Sequence, residues 1–283
     1  MTGGVARFLT LNLWGENGPW EARLALIGAR LAAIAPDVIG LQEVREATGR
    51  VPNQAATLAA PRGWNVAFAP TSGWGGGHEG LAIVSRFPIG AQQFRPLPHS
   101  TETEGRGILS ARLDGEAGGL WVHTTHLSYR EHEGLWREAQ VQFVDELLTE
   151  HDNGNPRVVM GDFNTVPESD EIRFLTGAHT LGGRRVAYQD AWAAVNQDRP
   201  GHTWARANDY TERMHWLRRD RRLDYIFVSP VRRDRRATVH GAAVVLDQPE
   251  VRPDGERIFA SDHFGVTADV QLLVSSESAP GRK

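Results

Sequence analysis

The sequence contains no cysteine, which excludes disulfide bonds, cysteine nucleophiles and metal sites built from thiolates. Any chemistry that the protein performs must therefore use oxygen and imidazole groups. Lysine is nearly absent as well, since Lys283 is the only one and arginine supplies the other basic residues. No apolar run approaches the roughly 20 residues that a membrane span needs. The N-terminal residues lack the pattern of a secretory signal, so we expect a cytoplasmic protein.

The overall charge gives little reason to expect a polyanionic partner. The 283 residues carry a net charge of −4, with 40% hydrophobic and 23% charged residues, which is an ordinary globular composition. No global electrostatic field therefore draws the protein towards nucleic acid. The chain is long enough to bury a sizeable core in one large domain or in two small ones.

Hydrophobic periodicity predicts strands and two amphipathic helices, the helices lying over residues 20–35 and 132–150. Four residues of the second helix are expected on its buried face: Leu135, Ala139, Phe143 and Leu147. Strands are expected at 6–13, 37–44, 65–70, 80–87, 105–113, 120–127, 157–163, 222–229, 237–246 and 264–274. Because neither a repeat nor a linker is evident, we predict one α/β domain over 1–274 and a disordered tail at 275–283.

Polar residues recur where these strands end. The residues concerned are Asn12, Glu43, His123, His126, Asp162, Asn164, Asp224, Asp262 and His263. Each alone has a plain explanation, since turns favour Gly, Asp and Asn, and a lone histidine in a strand is often a satisfied core residue. Separate plain explanations are less satisfactory for the whole set, because burying carboxylates without partners is costly. A shared polar centre would remove that cost for all of them.

The atoms of such a centre indicate its chemistry. Carboxylate and carboxamide oxygens suit a hard cation such as Mg²⁺ or Mn²⁺, and Glu43 assisted by Asn12 is a fitting ligand set. A combination of Asp and His supplies general acid–base capacity, since histidine titrates near neutral pH. Asn164 and the imidazoles can donate hydrogen bonds to charge that develops on a phosphoryl oxygen. These parts indicate metal-assisted hydrolysis of a phosphoester.

Seven short motifs follow one another along the chain: LNLWG (11–15), LQEV (41–44), GLAIVSRFPI (80–89), THL (125–127), GDFN (161–164), RLDYIFV (222–228) and SDHFGV (261–266). In this order they resemble the endonuclease/exonuclease/phosphatase superfamily, which includes DNase I-like nucleases, abasic-site endonucleases, neutral sphingomyelinases and inositol-polyphosphate phosphatases. THL and LQEV are weak alone, whereas GDFN with a late SDH is specific. The resemblance implies a four-layered α/β sandwich of the DNase I-like type, with two mixed β-sheets face to face, flanked by helices.

The resemblance also implies which residues hold a metal and which contact the leaving group. Asn12 and Glu43 match the metal-binding Asn and Glu of the superfamily. Asp262 matches an Asp that lies near a metal. His126 matches the His that assists the leaving group or contacts the phosphate. On this basis Asn12, Glu43 and Asp262 are expected to bind the cation, and His126 to act in catalysis.

The remaining core residues match the superfamily positions that act on the water and the phosphate. Asp162 matches the Asp that orients or activates the attacking water, and Asn164 matches the Asn that holds the scissile phosphate. His263 matches the His that contacts phosphate or acts as a base, and Asp224 matches the Asp that orients it. No core position is missing, so the resemblance implies an active enzyme.

Three loops are expected to select the substrate, because the catalytic core is common to the superfamily. They lie at 71–80, 126–138 and 201–222, and a plain surface hairpin is the alternative for the first. The residues expected to contact substrate are Trp74, His78, Tyr129, Arg130, Trp204 and Asn208. The RRDRR clusters at 218–222 and 232–236 suit phosphate backbones, or alternatively form surface loops whose charges are paired internally.

The sequence therefore predicts a divalent-metal-dependent phosphoric ester hydrolase with Mg²⁺ or Mn²⁺ as cofactor. A phosphodiesterase acting on a phosphodiester or small organophosphate is the leading hypothesis, and a DNA or RNA endo- or exonuclease is the main alternative. The lack of an apolar hairpin for membrane docking argues against a third alternative, a sphingomyelinase-like phospholipase C. A non-catalytic binding protein on the same fold is an alternative of another class. We expect a monomer whose partner is its phosphate-ester substrate.

Overall fold

Two mixed β-sheets packed face to face form the centre of the protein. The structure is a computed structural model that describes residues 4–99, 105–214 and 219–272, without the side chains of Trp74 and of residues 212–214. Buried apolar residues from both sheets fill the space between them. One further apolar layer lies between each sheet and the helices outside it. The predicted α/β sandwich of the DNase I-like type is confirmed.

The first sheet contains six of the described strands. They are β1 (Val5–Asn12), β2 (Val38–Glu46), β3 (Asn65–Trp74), β4 (Gly77–Ser85), β11 (Val239–Val245) and β14 (Gly265–Gln271). Their order across the sheet is β11-β14-β1-β2-β4-β3. β1 and β2 run parallel, and the other neighbours run antiparallel. The ends of β1 and β2 therefore meet at one edge, where β14 begins.

The second sheet also contains six of the described strands. They are β5 (Ile89–Pro96), β6 (Gly107–Leu113), β7 (Leu120–His126), β8 (Val158–Asp162), β9 (Gln189–Asp190) and β10 (Asp224–Val228). Their order is β5-β6-β7-β8-β10-β9, with β7 and β8 parallel. A separate small hairpin pairs β12 (Glu250–Val251) with β13 (Arg257–Ile258).

Helices cover the outer face of each sheet. They are α1 (Trp20–Ile34), α2 (Gln54–Ala59), α3 (Gly134–Glu150), α4 (Asp170–Leu175) and α5 (Ala191–Val195). α1 and α2 pack on the first sheet, while α3 and α4 pack on the second. Within the described ranges, none of these helices has both the length and the apolar character that crossing a membrane requires.

The buried face of α3 differs in part from the predicted one. Leu135 is 81% exposed, whereas Arg137 and Gln140 are buried. Arg137 donates to Glu171 and to the Ser128 carbonyl, and Gln140 donates to the Pro98 carbonyl. Because these hydrogen bonds satisfy the polar groups, the helix can turn a polar stripe inwards and leave Leu135 in solvent. Leu147 is buried and Phe143 packs against the same apolar layer, as predicted, so apolar periodicity was wrong for Leu135 and missed the buried polar stripe.

Strand register places four residues in one row across the second sheet. Gly107 of β6 lies opposite His126 of β7, which lies opposite Asp162 of β8. Asp162 in turn lies opposite Asp224 of β10. The row lies at the same edge of the sandwich as the ends of β1 and β2. Asn12, at the end of β1, donates a hydrogen bond to Asp162 across the two sheets. Domain limits of 1–274 and a tail at 275–283 stay predictions, since the tail lies outside the described residues.

Candidate active site

A cleft of about 400 Å³ opens at this edge of the sandwich, with walls from both sheets. Six of the predicted core residues line it: Glu43, His126, Asp162, Asn164, Asp262 and His263. The other two, Asn12 and Asp224, are buried and hydrogen-bond to residues of the lining. The structure thus brings all eight together, although they are spread over the sequence from position 12 to position 263.

Asp162 is the centre of this arrangement. Its Oδ2 accepts a hydrogen bond from Nδ2 of Asn12 at 3.1 Å. The same oxygen lies 3.5 Å from Nε2 of His126 and 3.7 Å from Nε2 of His263. Burial raises the pKa of Asp162 to about 6, against the opposing effect of His263. A carboxylate with such a pKa can take up a proton near neutral pH, as a general base must.

Asn164 is held on the same side of the chain as Asp162 by a tight turn. Oδ1 of Asp162 accepts a hydrogen bond from the Asn164 backbone N–H at 2.8 Å, and Asn164 has a φ of +51°. Nδ2 of Asn164 donates to the Leu127 carbonyl at 3.1 Å, which fixes its carboxamide. Phe163, between them, packs in the apolar layer under α3. The turn therefore presents the carboxylate and the carboxamide to the cleft together.

Gly161 allows β7 and β8 to approach closely just before Asp162. It has a φ of +152°, and a Cβ atom there would lie 2.0 Å from the Thr125 carbonyl oxygen. Real Cβ atoms do not come so close to backbone oxygen, so any side chain would push the strands apart. The glycine of the GDFN motif is thus a packing requirement of the site.

A bulge in β2 turns Glu43 into the cleft. Gln42 points to the second sheet, where it donates to Oγ1 of Thr124 at 2.8 Å. Regular alternation would place Glu43 on the opposite face, beside Leu41. Pairing with β4 shifts between Leu41 and Val44, and Glu43 adopts a φ of +53°. This strained conformation brings Oε1 of Glu43 to 2.9 Å from Nδ2 of Asn12.

Three carboxylates, those of Glu43, Glu79 and Asp262, line the cleft. Burial, together with the charges of Glu79 and Asp262, raises the pKa of Glu43 to about 8. Burial also raises the pKa of Asp262. Carboxylates that face each other in this way repel unless a positive charge lies between them. Carboxylate oxygens such as those of Glu43 and Asp262 are the ligands that a hard divalent ion such as Mg²⁺ or Mn²⁺ prefers. Asn12 turns Nδ2 towards Glu43, and its Oδ1 accepts from the Trp14 backbone N–H at 2.9 Å.

A second group of ligand-type atoms lies beside the first. Asp162, Asp224 and His263 each offer an atom within 4.8 Å of the others. His263 Nδ1 donates to Oδ2 of Asp224 at 2.8 Å. Burial favours neutral His263, but the three neighbouring aspartates outweigh it and raise its pKa well above the ordinary value. A protonated imidazole has no lone pair for a metal, so this group is better suited to contact an anion.

Sequence reasoning missed two residues that position the site. Arg106 is buried, and its Nη1 lies 3.1 Å from Nδ1 of His126. Thr203 accepts hydrogen bonds from the backbone N–H groups of Leu223 and Asp224, and its carbonyl accepts one from Phe264. Thr203 therefore ties the segment before β10 to the segment before β14. No local motif marks either residue, because each acts through contacts distant in sequence.

Two of the residues expected to contact substrate line the cleft. Tyr129 is half exposed, and Trp204 is almost fully buried with the Arg221 guanidinium 4.4 Å from its ring centroid. Arg106 lies over the Tyr129 ring at 5.6 Å in the same way. Arg106 and Arg221 come from opposite ends of the row through β6, β7, β8 and β10. The cleft therefore has an arginine stacked on an aromatic ring at each side.

Three of the other expected contact residues, His78, Arg130 and Asn208, do not line the cleft. His78 is exposed on a β3–β4 hairpin, which matches the plain alternative for that segment, although Glu79 of the hairpin does line the cleft. Asn208 is buried and donates to the Ser261 carbonyl at 2.8 Å, so we revise its expected substrate contact to support of the Asp262 segment. Arg130 packs against Tyr129 at 5.8 Å. The side chain of Trp74 lies outside the described part of the structure.

The arginine clusters have mostly internal partners where the structure describes them. Arg222 pairs with Asp190 at 2.6 Å, and both are buried. Arg232 pairs with Asp152 at 3.3 Å, and Arg236 with Asp234 at 2.8 Å. These pairs agree with the alternative of internally paired loops. Arg218 lies outside the described residues.

Comparison with known proteins identifies the family. The sequence model of the Endonuclease/Exonuclease/phosphatase family matches residues 9–263. The chain belongs to this family. All eight core residues of the cleft lie within the matched range. Members of the endonuclease/exonuclease/phosphatase family are phosphoester hydrolases, and the family assignment supports that general activity for this chain.

Individual relatives agree with the family assignment. YbhP of Escherichia coli strain K12 is 30% identical over 240 residues, which cover 72% of this chain and 92% of YbhP. Exodeoxyribonuclease III of Haemophilus influenzae is 28% identical over 172 residues, covering 59% of this chain and 60% of that enzyme. A solved endonuclease/exonuclease/phosphatase of Beutenbergia cavernae superposes with a TM-score of 0.71 at 26% identity, covering 95% of this chain and 72% of that one.

Proposed function

We propose that the protein is a divalent-metal-dependent phosphodiesterase that acts on a phosphodiester or small organophosphate. The observation that carries the proposal is the position of Asp162 Oδ2, which faces Asn12, His126 and His263 at 3.1, 3.5 and 3.7 Å. One carboxylate oxygen thus lies between Asn12, on the side of the cleft where we propose that the cation binds, and two imidazoles. The family assignment supports the general reaction. The preference for a small substrate is supported by the net charge of −4, which gives no general attraction for long nucleic acid.

Glu43, Asn12 and Asp262 would hold Mg²⁺ or Mn²⁺, which would neutralise charge on the bound phosphate. Asp162 orients the attacking water and accepts its proton, which its pKa of about 6 permits. His263, oriented by Asp224, presents a charged N–H to a phosphoryl oxygen. Asn164 offers its carboxamide to the same phosphate. These roles together describe in-line hydrolysis with separate residues for water, phosphate and cation.

A nuclease is the second candidate, because the cleft carries Arg106 over Tyr129 and Arg221 over Trp204. Such pairs suit a phosphate next to a flat base. The relative named exodeoxyribonuclease III points in the same direction. The net charge of −4 argues against tight binding to long duplexes, so short or single-stranded substrates are favoured within this candidate. The cytoplasmic location and the monomeric state stay predictions.

A screen of one metal-stripped sample tests the proposal. The substrates are bis(p-nitrophenyl) phosphate, p-nitrophenyl phosphate, single-stranded and duplex DNA, RNA, sphingomyelin, inositol phosphates and sugar phosphates, each with Mg²⁺, Mn²⁺ or EDTA. We expect metal-dependent cleavage of the diester, with less of the monoester. Preferred cleavage of DNA or RNA would support the nuclease, and preferred cleavage of sphingomyelin a phospholipase C. Inactivity on every substrate would support a binding protein.

A further inference from the structure

Arg106 contacts His126 from within the wall of the cleft. The arginine precedes β6 and is 7% exposed, and its Nη1 lies 3.1 Å from Nδ1 of His126. Register fixes the pair, because Gly107, next in the chain, lies directly opposite His126. The guanidinium carbon of Arg106 also lies 5.6 Å from the centroid of the Tyr129 ring. The side chain of Arg106 is therefore held in place by two neighbours, His126 and Tyr129.

The chemistry of arginine decides the direction of this hydrogen bond. A guanidinium has five N–H donors, no acceptor, and stays charged at any pH at which proteins fold. Nδ1 of His126 must therefore accept, and a neutral His126 must carry its proton on Nε2. Nε2 is the atom that lies 3.5 Å from Oδ2 of Asp162. The ring thus directs an N–H towards the reacting centre.

His263 has the opposite arrangement. Its Nδ1 lies 2.8 Å from Oδ2 of Asp224, a carboxylate that can only accept, so the proton is on Nδ1. The two imidazoles that face Asp162 are therefore set to different hydrogen-bonding states by different partners. A basic partner fixes one ring, and an acidic partner fixes the other. Histidines in such different surroundings cannot exchange roles.

We propose that Arg106 is a positioning residue that holds His126 as the neutral Nε2–H tautomer, so that His126 donates a hydrogen bond to the phosphate and transfers no proton. The kinetic part of this proposal rests on the proposed phosphodiesterase function, whereas the tautomer does not. Burial, Arg106 and His263 together lower the pKa of His126 well below its ordinary value, in agreement with a neutral ring. Loss of a proton from neutral imidazole would leave an anion in a buried site, so donation without transfer is the accessible role.

The first test reads the tautomer directly and needs no substrate. Protein labelled with ¹⁵N-histidine is studied by long-range ¹H–¹⁵N correlation, and the His126 signals are assigned by their absence in His126→Ala. We expect a protonated Nε2 and an unprotonated Nδ1 in the wild type and in Arg106→Lys, which keeps a charged donor. Arg106→Met should show the Nδ1–H form or a mixture. A wild-type ring protonated on Nδ1 would overturn the proposal, and so would an unchanged tautomer in Arg106→Met.

The second test separates an action through His126 from direct contact with substrate. Loss of one donor to developing charge lowers kcat about 10²-fold or more, so we expect His126→Ala to show that loss and Arg106→Met to lose at least about tenfold. In the His126→Ala background, Arg106→Met should cause no further loss of kcat. If the double variant lost kcat by the product of the two single losses, the action of Arg106 through His126 would be contradicted. Arg112→Met is the matched control, because Arg112 is a partly exposed arginine of β6 whose side chain pairs with Asp114 and does not line the cleft.

The two tests also distinguish this proposal from the proposed function. If the wild type hydrolyses no phosphoester but shows the predicted tautomer, the phosphodiesterase is wrong and the positioning by Arg106 stands. If hydrolysis occurs but His126 is protonated on Nδ1, the phosphodiesterase stands and the positioning by Arg106 is wrong. Should Arg106→Met fail to fold in thermal melts, the wild-type spectrum and the Arg106→Lys variant still decide the tautomer.

Discussion

Asp224 accepts a hydrogen bond from Nδ1 of His263 at 2.8 Å, although 39 residues separate the two in the chain. The other oxygen of Asp224, Oδ1, is buried and has no hydrogen-bond partner among the described residues. Unpaired buried oxygen is costly, and the adjacent charged imidazole offsets part of that cost. Asp224 therefore keeps His263 both charged and fixed in orientation.

The first prediction concerns this pair. Asp224→Asn should lower kcat by roughly 10²–10⁴-fold, because a carboxamide can donate to Nδ1 and stabilise the wrong tautomer of His263. His263→Ala should lower turnover far more than stability. Steady-state kinetics and thermal melts check both, with the exposed His240→Ala as control. An unfolding midpoint that collapses in His263→Ala, with activity per folded molecule intact, would show that the residue is structural.

The second prediction concerns the cation. Glu43→Gln removes one carboxylate from the group formed with Glu79 and Asp262, so its main effect should be weaker metal binding. We expect the Mg²⁺ concentration for half-maximal activity to rise about 10–100-fold, with a smaller change in kcat at saturating metal. Metal titrations of activity measure this, and Glu250→Gln in the exposed β12–β13 hairpin is the control. An unchanged titration in Glu43→Gln would remove Glu43 from the cation site.

The third prediction concerns pH and stability without metal. The pKa of Glu43 rises from an ordinary 4.5 to about 8 in the fold, so the folded state binds more protons than the unfolded state between these values. Its contribution to stability is full below pH 4.5 and is lost as pH rises towards 8. In EDTA, the free energy of unfolding should fall more steeply with pH in the wild type than in Glu43→Gln. Urea melts from acidic to alkaline pH measure the slopes, and equal slopes would contradict the prediction.

The fourth prediction compares two glycines. Gly161→Ala should destabilise the protein by roughly 3 kcal/mol or more, because its Cβ would overlap the Thr125 carbonyl oxygen. Gly28→Ala, inside α1, meets only Leu58 at 3.8 Å and should stabilise by about 0.5–1 kcal/mol. Denaturant melts of both variants provide the comparison. Equal stability of the two would mean that β7 and β8 tolerate a wider spacing than the fold shows.

Sequence alone predicted the eight polar residues that the structure brings together, but not how each one reaches the cleft. Asp162 and Asn164 were found because alternation places them on one side of a strand end. Glu43 was found through its motif, although alternation would have directed it away from Asn12. The bulge that redirects it depends on pairing with β4, a tertiary contact that leaves no local pattern.

The misses share a physical cause. β5 was not predicted, because it is a sheet edge that reads IGAQQFRP, with half-exposed polar positions and little apolar alternation. Arg106 and Arg137 resemble surface arginines until their partners, His126 and Glu171, are brought beside them. Buried polar residues that are satisfied by distant partners cannot be identified from hydrophobic pattern.

The most direct test of the central role of Asp162 is metal-dependent hydrolysis of bis(p-nitrophenyl) phosphate by the wild type and by Asp162→Asn. Both proteins are stripped with EDTA, resupplied with Mg²⁺ or Mn²⁺, and compared at equal folded concentration. We predict hydrolysis by the wild type that requires metal, and a loss of at least about 10²-fold in Asp162→Asn without loss of the fold. Undiminished, metal-dependent hydrolysis by Asp162→Asn would contradict the account.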